Sequence, residues 1–256
     1  MLILKLALVP ALVLLVSLAA RRWGHRVSGW LSAVPVIAGP IMLFMALDHG
    51  IEFTVDTARA TLITLPALAA YLLAFGLISR HGGWSTCLFG GWAVFVVVVT
   101  PLTAVSVSDW QGLLVASAGF AAALLLVPRP RATLMPAAIP NSEIALRMAA
   151  AFAITLVIAF GAQTFGPRVS GALLSFPIGG SVLPAFTRAL HGVDATLSLV
   201  RGFLVGLLPF AVFFYGLALL LPGFGVAGGF AGALAAVLAA HFVLIAALRM
   251  RRRLAN

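Results

Sequence analysis

The chain has 256 residues, a formal net charge of +10, 63% apolar and 9% charged residues, and a mean hydropathy of +1.17. A globular domain carries about a quarter charged residues and needs them to cover its core, which excludes a soluble enzyme with one attached anchor; the longest polar-leaning stretch, Pro128 to Glu143, is too short for a domain. Of the 16 basic residues only Lys5 is not an arginine, and most of them stand in short loops between apolar runs, not along a basic stripe interleaved with exposed aromatics, so nucleic acid is excluded as a partner.

A membrane-spanning helix needs about 20 mostly apolar residues. In chain order such runs are Leu2 to Ala20, Val27 to Leu47, Ala58 to Ser79, Ser85 to Val107, Trp110 to Val127, Ile144 to Phe165, Val169 to Ala189, Leu197 to Leu221 and Gly225 to Leu248. The expected fold class is therefore an all-α polytopic membrane protein of nine transmembrane helices. The first run ends in Ser17-Leu18-Ala19-Ala20 like a secretion signal, but Arg21, Arg22 and Arg26 follow it and only Lys5 lies near its start. That charge order is inverted for a signal peptide, and the run is read as a retained helix. Cys87, in the fourth run, is the sole cysteine and rules out an internal disulfide.

Lysine and arginine favour cytoplasmic loops. With these spans, Arg21, Arg22, Arg26, Arg80, Arg129, Arg131, Arg147, Arg188, Arg201, Arg249, Arg251, Arg252 and Arg253 fall on one side. Lys5, Arg59 and Arg168 fall on the other, with Asp48, Glu52, Asp56 and Asp109. The expectation is an N-terminus outside, in the periplasm, and a cytoplasmic C-terminus in a bacterial inner membrane, which requires an odd number of spans.

The chain also repeats itself. Shifted by 142 residues, Arg26 to Arg59 lies over Arg168 to Arg201 with 11 of 34 pairs identical, including Arg26/Arg168, Pro35/Pro177, His49/His191, Gly50/Gly192, Thr54/Thr196 and Arg59/Arg201. Average usage would give roughly three. The first four spans fall on the last four and the fifth has no partner. The plan is thus 4+1+4: residues 1–109, a linker helix and loop over 110–140, and residues 141–256. Each helix and its copy are five spans apart, an odd number, so the copy runs the opposite way. Inverted repeats of this kind offer alternating access, though they occur in channels too.

Corresponding breaks in the two halves point to a transporter site. The first motif carries Ser28, Pro35, Gly39 and Pro40; the second carries Ser170, Pro177, Gly179, Gly180 and Ser181. Pro35 would sit roughly 12 Å into the second span and Gly39-Pro40 about 18 Å in, near the midplane, where proline frees backbone groups that a substrate, water or protein must satisfy. The plain alternative is a kink for packing. Arg168, Arg59 and Arg201 are candidate steering charges for an anion at the mouths of one pathway, or arginines snorkelling to the interface. His241 is deep in the last span, as a functional group or as a neutral ring bonding a carbonyl. No Asp or Glu lies in a span core, so carboxylate-based proton or sodium coupling finds no support. The glycines of the fourth and ninth spans suit close helix contact. No phosphate-cradling loop, nucleophile elbow, metal-ligand spacing or cofactor motif is present, and no enzyme is expected.

From Gly171 to Phe213 the run Gly-Ala-Leu-Leu-Ser-Phe-Pro, then Leu190-His191-Gly192 and Leu207-Leu208-Pro209-Phe210, resembles the GlpM-like family of short bacterial inner-membrane proteins, with Phe176-Pro177 and Pro209 in the family's places. The first half offers Val34-Pro35 and Pro66, displaced by one residue. The resemblance implies a link to exopolysaccharide production and imports no chemistry. The plan also resembles small multidrug-resistance proteins fused head to foot, without their membrane glutamate. The expected function is a transporter or flippase for a small or lipid-linked substrate, with anions among the candidates; the alternative is a non-transporting scaffold of envelope polysaccharide synthesis. Expected partners are membrane lipid, that substrate and, as an open alternative, a second copy in a homodimer.

Overall fold

The structure, a computed structural model, describes residues 2–25, 27, 30, 35, 38–105, 107–131, 139–162, 172 and 174–254. These form six helices: α1 Leu2–Trp23, α2 Ala38–Ile78, α3 Trp84–Leu102, α4 Asp109–Leu126, α5 Asn141–Ala162 and α6 Ile178–Leu254. No strand occurs among the described residues. In α2, α3, α4 and α6 the described residues include apolar windows long enough to cross a membrane.

Nine separate spans were expected, and the described residues give six helices instead. The reason is that α2 and α6 run through several expected boundaries and are interrupted only at single glycines. Gly50 breaks α2 (φ 87°, ψ 173°), and Gly192 (φ 80°, ψ −171°) and Gly225 (φ 66°, ψ −173°) break α6. These angles are open to glycine and to almost nothing else. At Gly225 the chain turns back on itself: Gly216 packs on Ala233, Leu221 on Gly229 and Leu220 on Gly232. A straight helix would hold Gly216 and Ala233 roughly 26 Å apart. Across Gly192, Val182 and Leu183 share an apolar cluster with Leu199 and with Val13 and Val16 of α1.

Residues 142 apart repeat in detail. Thr54 Oγ1 donates to the Gly50 carbonyl at 2.8 Å, and Thr196 Oγ1 donates to that of Gly192 at 2.8 Å. The Gly39 amide donates to the Pro35 carbonyl at 2.8 Å, and the Ser181 amide to that of Pro177 at 2.7 Å. Gly90 packs on Ile78 as Gly232 packs on Leu220.

The main core joins α2, α3, α4 and α6 through Leu65, Tyr71, Phe75, Phe95, Phe120, Leu204, Phe213 and Phe214. Within α2, Thr57, Thr61 and Thr64 are buried and return their hydroxyls to the carbonyls four residues back, each at 2.8 Å, which satisfies them in an apolar interior. Gly112 packs on Leu62, Gly119 on Pro66 and Gly76 on Val127, so residues 51–78 run parallel to α4. Gly76 also meets Leu197 and Val200, at the start of the segment that follows Gly192. Trp84 and Trp110 are exposed and begin α3 and α4.

Candidate functional site

Both repeated motifs lead into helices at their prolines. Pro35 is a turn residue and α2 starts at Ala38; Ser175, Phe176 and Pro177 are non-helical and α6 starts at Ile178. The interruption expected around Gly39-Pro40 and Gly179-Gly180 therefore lies a few residues earlier, and those pairs stand in the first turn of the helix. Proline's fixed φ and missing donor suit a helix start better than an interior, which explains the offset. Ser28, Arg168 and Ser170 lie outside the described residues, as does Arg26.

The two starts meet the opposite half of the chain. Gly39 is buried, and a Cβ there would stand 3.7 Å from Phe213 Cζ. Gly180 faces Tyr71, the residue 142 positions before Phe213: the Tyr71 hydroxyl donates to the Gly180 carbonyl at 2.9 Å. Beside it, Trp92 Nε1 donates to Ser181 Oγ at 2.8 Å. Phe176 packs edge-on against Phe95 and tilted against Trp92. Pro35, Pro177, Gly180 and Ser181 are all buried, so around these residues the junction is closed and its polar atoms are paired within the protein.

Arg59 and Arg201 are not at this junction. Arg59 grips Asp109, the first residue of α4, with Nε to Oδ1 at 2.7 Å and Nη2 to Oδ2 at 3.2 Å. Arg201 Nη1 donates to the carbonyls of Leu124 and Val127 at the other end of α4, at 3.1 and 2.8 Å. A carboxylate suits a helix amino end and a guanidinium suits its free carbonyls. The capping box of Ser108 and Gln111 completes the amino end.

Comparison with family models, with curated proteins and with solved structures finds no match.

A second polar centre lies where α1, α5 and α6 converge. Arg147 Nη2 pairs with Glu143 Oε1 at 2.5 Å, with side chains 1% and 4% exposed. His191 Nε2 lies 3.2 Å from both Glu143 oxygens, and the His25 ring is tilted on that of His191 with centroids 5.0 Å apart. Burial, then the neighbouring His191 and Arg147, holds the His25 ring down from its usual 6.5 to about 4. Close by, Arg188 binds the carbonyls of Ser79 and Gly82 at 2.9 and 2.8 Å, Arg21 binds Asn141 Oδ1 at 2.9 Å, and the Arg131 amide binds Asp194 at 2.9 Å. Among the described residues no group of His, Cys, Asp or Glu has the arrangement of a metal site.

Tyr71, Trp92 and this cluster were not singled out from sequence. An aromatic in an apolar span gives no pattern, and Glu143 at the head of α5 reads as a loop charge. His241 follows the plain expectation: its Nδ1 donates to the Val237 carbonyl one turn back, at 3.0 Å, and Trp30 packs edge-on against its ring.

Proposed function

We propose that the chain is an inner-membrane transporter or flippase made of two four-helix units in opposite orientation, joined by α4, with its pathway at the junction of Pro35, Gly39, Pro177, Gly180 and Ser181. Counting the segments on either side of Gly50, Gly192 and Gly225 separately gives nine helical segments among the described residues, the number that the 4+1+4 plan requires. One observation carries the reading: Arg59 and Arg201, repeat-related by 142 residues, hold opposite ends of the same helix α4, roughly 27 Å apart. Equivalent residues can reach opposite ends of one helix when their units are inverted. The substrate class is a small or lipid-linked anion, with Arg168 the residue most suited to meet it. A GlpM-like ancestry is consistent with a duplicated four-helix unit.

The closed, fully paired junction favours a second reading, a non-transporting scaffold in envelope polysaccharide synthesis, and the same experiments separate the two. Single cysteines at Gly83→Cys and Gly223→Cys in a Cys87→Ala background should react from opposite sides with an impermeant maleimide in intact cells. Labelling from one side removes the inversion. In proteoliposomes the protein should move a headgroup-labelled anionic phospholipid or a phosphorylated metabolite taken from a thermal-shift screen. Opposite labelling with no flux for any stabilising ligand would leave the scaffold; unchanged flux in Arg168→Ala would remove that residue from the pathway.

A further inference from the structure

A buried carboxylate paired with a buried arginine and a half-buried histidine, with a second histidine in contact, is a costly arrangement in an apolar chain. Its place in the fold gives it a use. Glu143 and Arg147 stand one turn apart on α5. His191 is the last residue of α6 before the break at Gly192, and His25 follows Gly24, the positive-φ glycine (φ 85°) that ends α1. One carboxylate thus ties α5 to two glycine breaks. Facing His191 from α5 are Glu143 and Arg147, and from the end of α1 His25. On its own helix Arg188 is turned to the carbonyls of Ser79 and Gly82, and Asp194 accepts the Arg131 amide.

The protons can be followed atom by atom. Both Glu143 oxygens accept from His191, so Nε2 carries a hydrogen and Nδ1 holds the free lone pair. With Arg147 charged and Glu143 ionised, the cluster is then neutral overall. The His191 side chain is 17% exposed, which leaves a route for water. A proton from that water adds to Nδ1; no bond to Glu143 breaks, and the cluster gains one positive charge. The imidazolium then competes with Arg147 for one carboxylate, and His25, whose ring is 96% covered as a residue at 4% exposure, stays neutral beside it. Among the described residues Arg147 has no second anion to turn to: its Nε is buried without a partner, and it otherwise meets Thr187 Oγ1 at 3.5 Å and the face of Phe186.

We infer that Glu143 and His191 form a proton-binding site whose occupancy is read out at the Gly192 break. This site does not rest on the transporter reading above.

The test uses the full chain in liposomes and needs no substrate. In a His49→Gln, His81→Gln, His241→Gln background, nitrogen-15 spectra of the two remaining histidines are recorded against pH. His191 should titrate, and Glu143→Gln should weaken its proton affinity about tenfold or more, since the imidazolium loses its counter-charge. Hydrogen-exchange protection over residues 186–196, corrected for the intrinsic pH dependence of amide exchange, should change with pH in the parent chain and lose that dependence in Glu143→Gln and in His191→Gln, which keeps a side-chain donor. A His191 titration indifferent to Glu143→Gln, or pH-dependent protection that survives His191→Gln, overturns the proposal. If both effects are found and no ligand shows flux in proteoliposomes, the site stands and the transporter reading falls.

Discussion

Tyr71 is wholly buried, and its hydroxyl is satisfied by donating to a backbone oxygen of the other half. Tyr71→Phe removes the donor and leaves the Gly180 carbonyl unpaired, which costs about 1–3 kcal/mol. A lowered melting temperature in detergent, with the fold intact by circular dichroism, is the expected result. His25 makes a second prediction, for pH. Its folded value near 4 lies below the usual 6.5, so on acidification the unfolded chain takes the proton first, and native stability declines as the pH falls from 6.5 through about 4. His25→Gln should flatten that part of the curve of melting temperature against pH. At this scale the sequence was informative about Pro35 and Pro177, because a shift of 142 residues aligns them. It was silent about Tyr71 and Trp92, whose partners Gly180 and Ser181 are 109 and 89 residues away. The Glu143–His191 pair was hidden for the same reason, being brought together only by packing across 48 residues.

The helices depend on their glycines in two different ways. Gly50, Gly192 and Gly225 have nothing within reach of an added Cβ, so the demand there is for backbone angles alone. Gly223 also has open space but no positive φ. Gly192→Ala should therefore destabilise by about 1–3 kcal/mol while Gly223→Ala leaves the melting temperature unchanged within error; equal effects would show that space, not φ, governs both. The apolar runs were legible as helices because composition and length suffice for that. Their separation into nine runs was expected too; what was not legible is that helix resumes directly on either side of Gly50, Gly192 and Gly225. The identity of Gly50 and Gly192 across the repeat marked two of these breaks, and the structure gives the reason: each also accepts a threonine hydroxyl four residues on.

For the molecule as a whole, counting charged loops expects Arg21, Arg131, Arg147, Arg188 and Arg201 on one side; in the structure the side chains of Arg21, Arg147, Arg188 and Arg201 bond Asn141, Glu143, Ser79 and Val127, and the Arg131 amide bonds Asp194. Arg59 and Asp109 stand apart from them, at the opposite end of α4. The separation of Arg59 from Arg201 was readable because basic residues are few and the spans between them are long. The closed junction was not readable: sequence names the small residues that permit an opening, and packing alone decides whether one exists.

The exposed indoles of Trp84 and Trp110 head two consecutive helices, and α3 lies between them with 19 residues. At 1.5 Å each that is roughly 28 Å, close to the thickness of bilayer hydrocarbon. Indoles settle at the headgroup boundary, so this pair acts as a ruler of fixed length laid across the lipid. A thinner or thicker bilayer has to stretch to it, tilt it or strand one ring at the wrong depth.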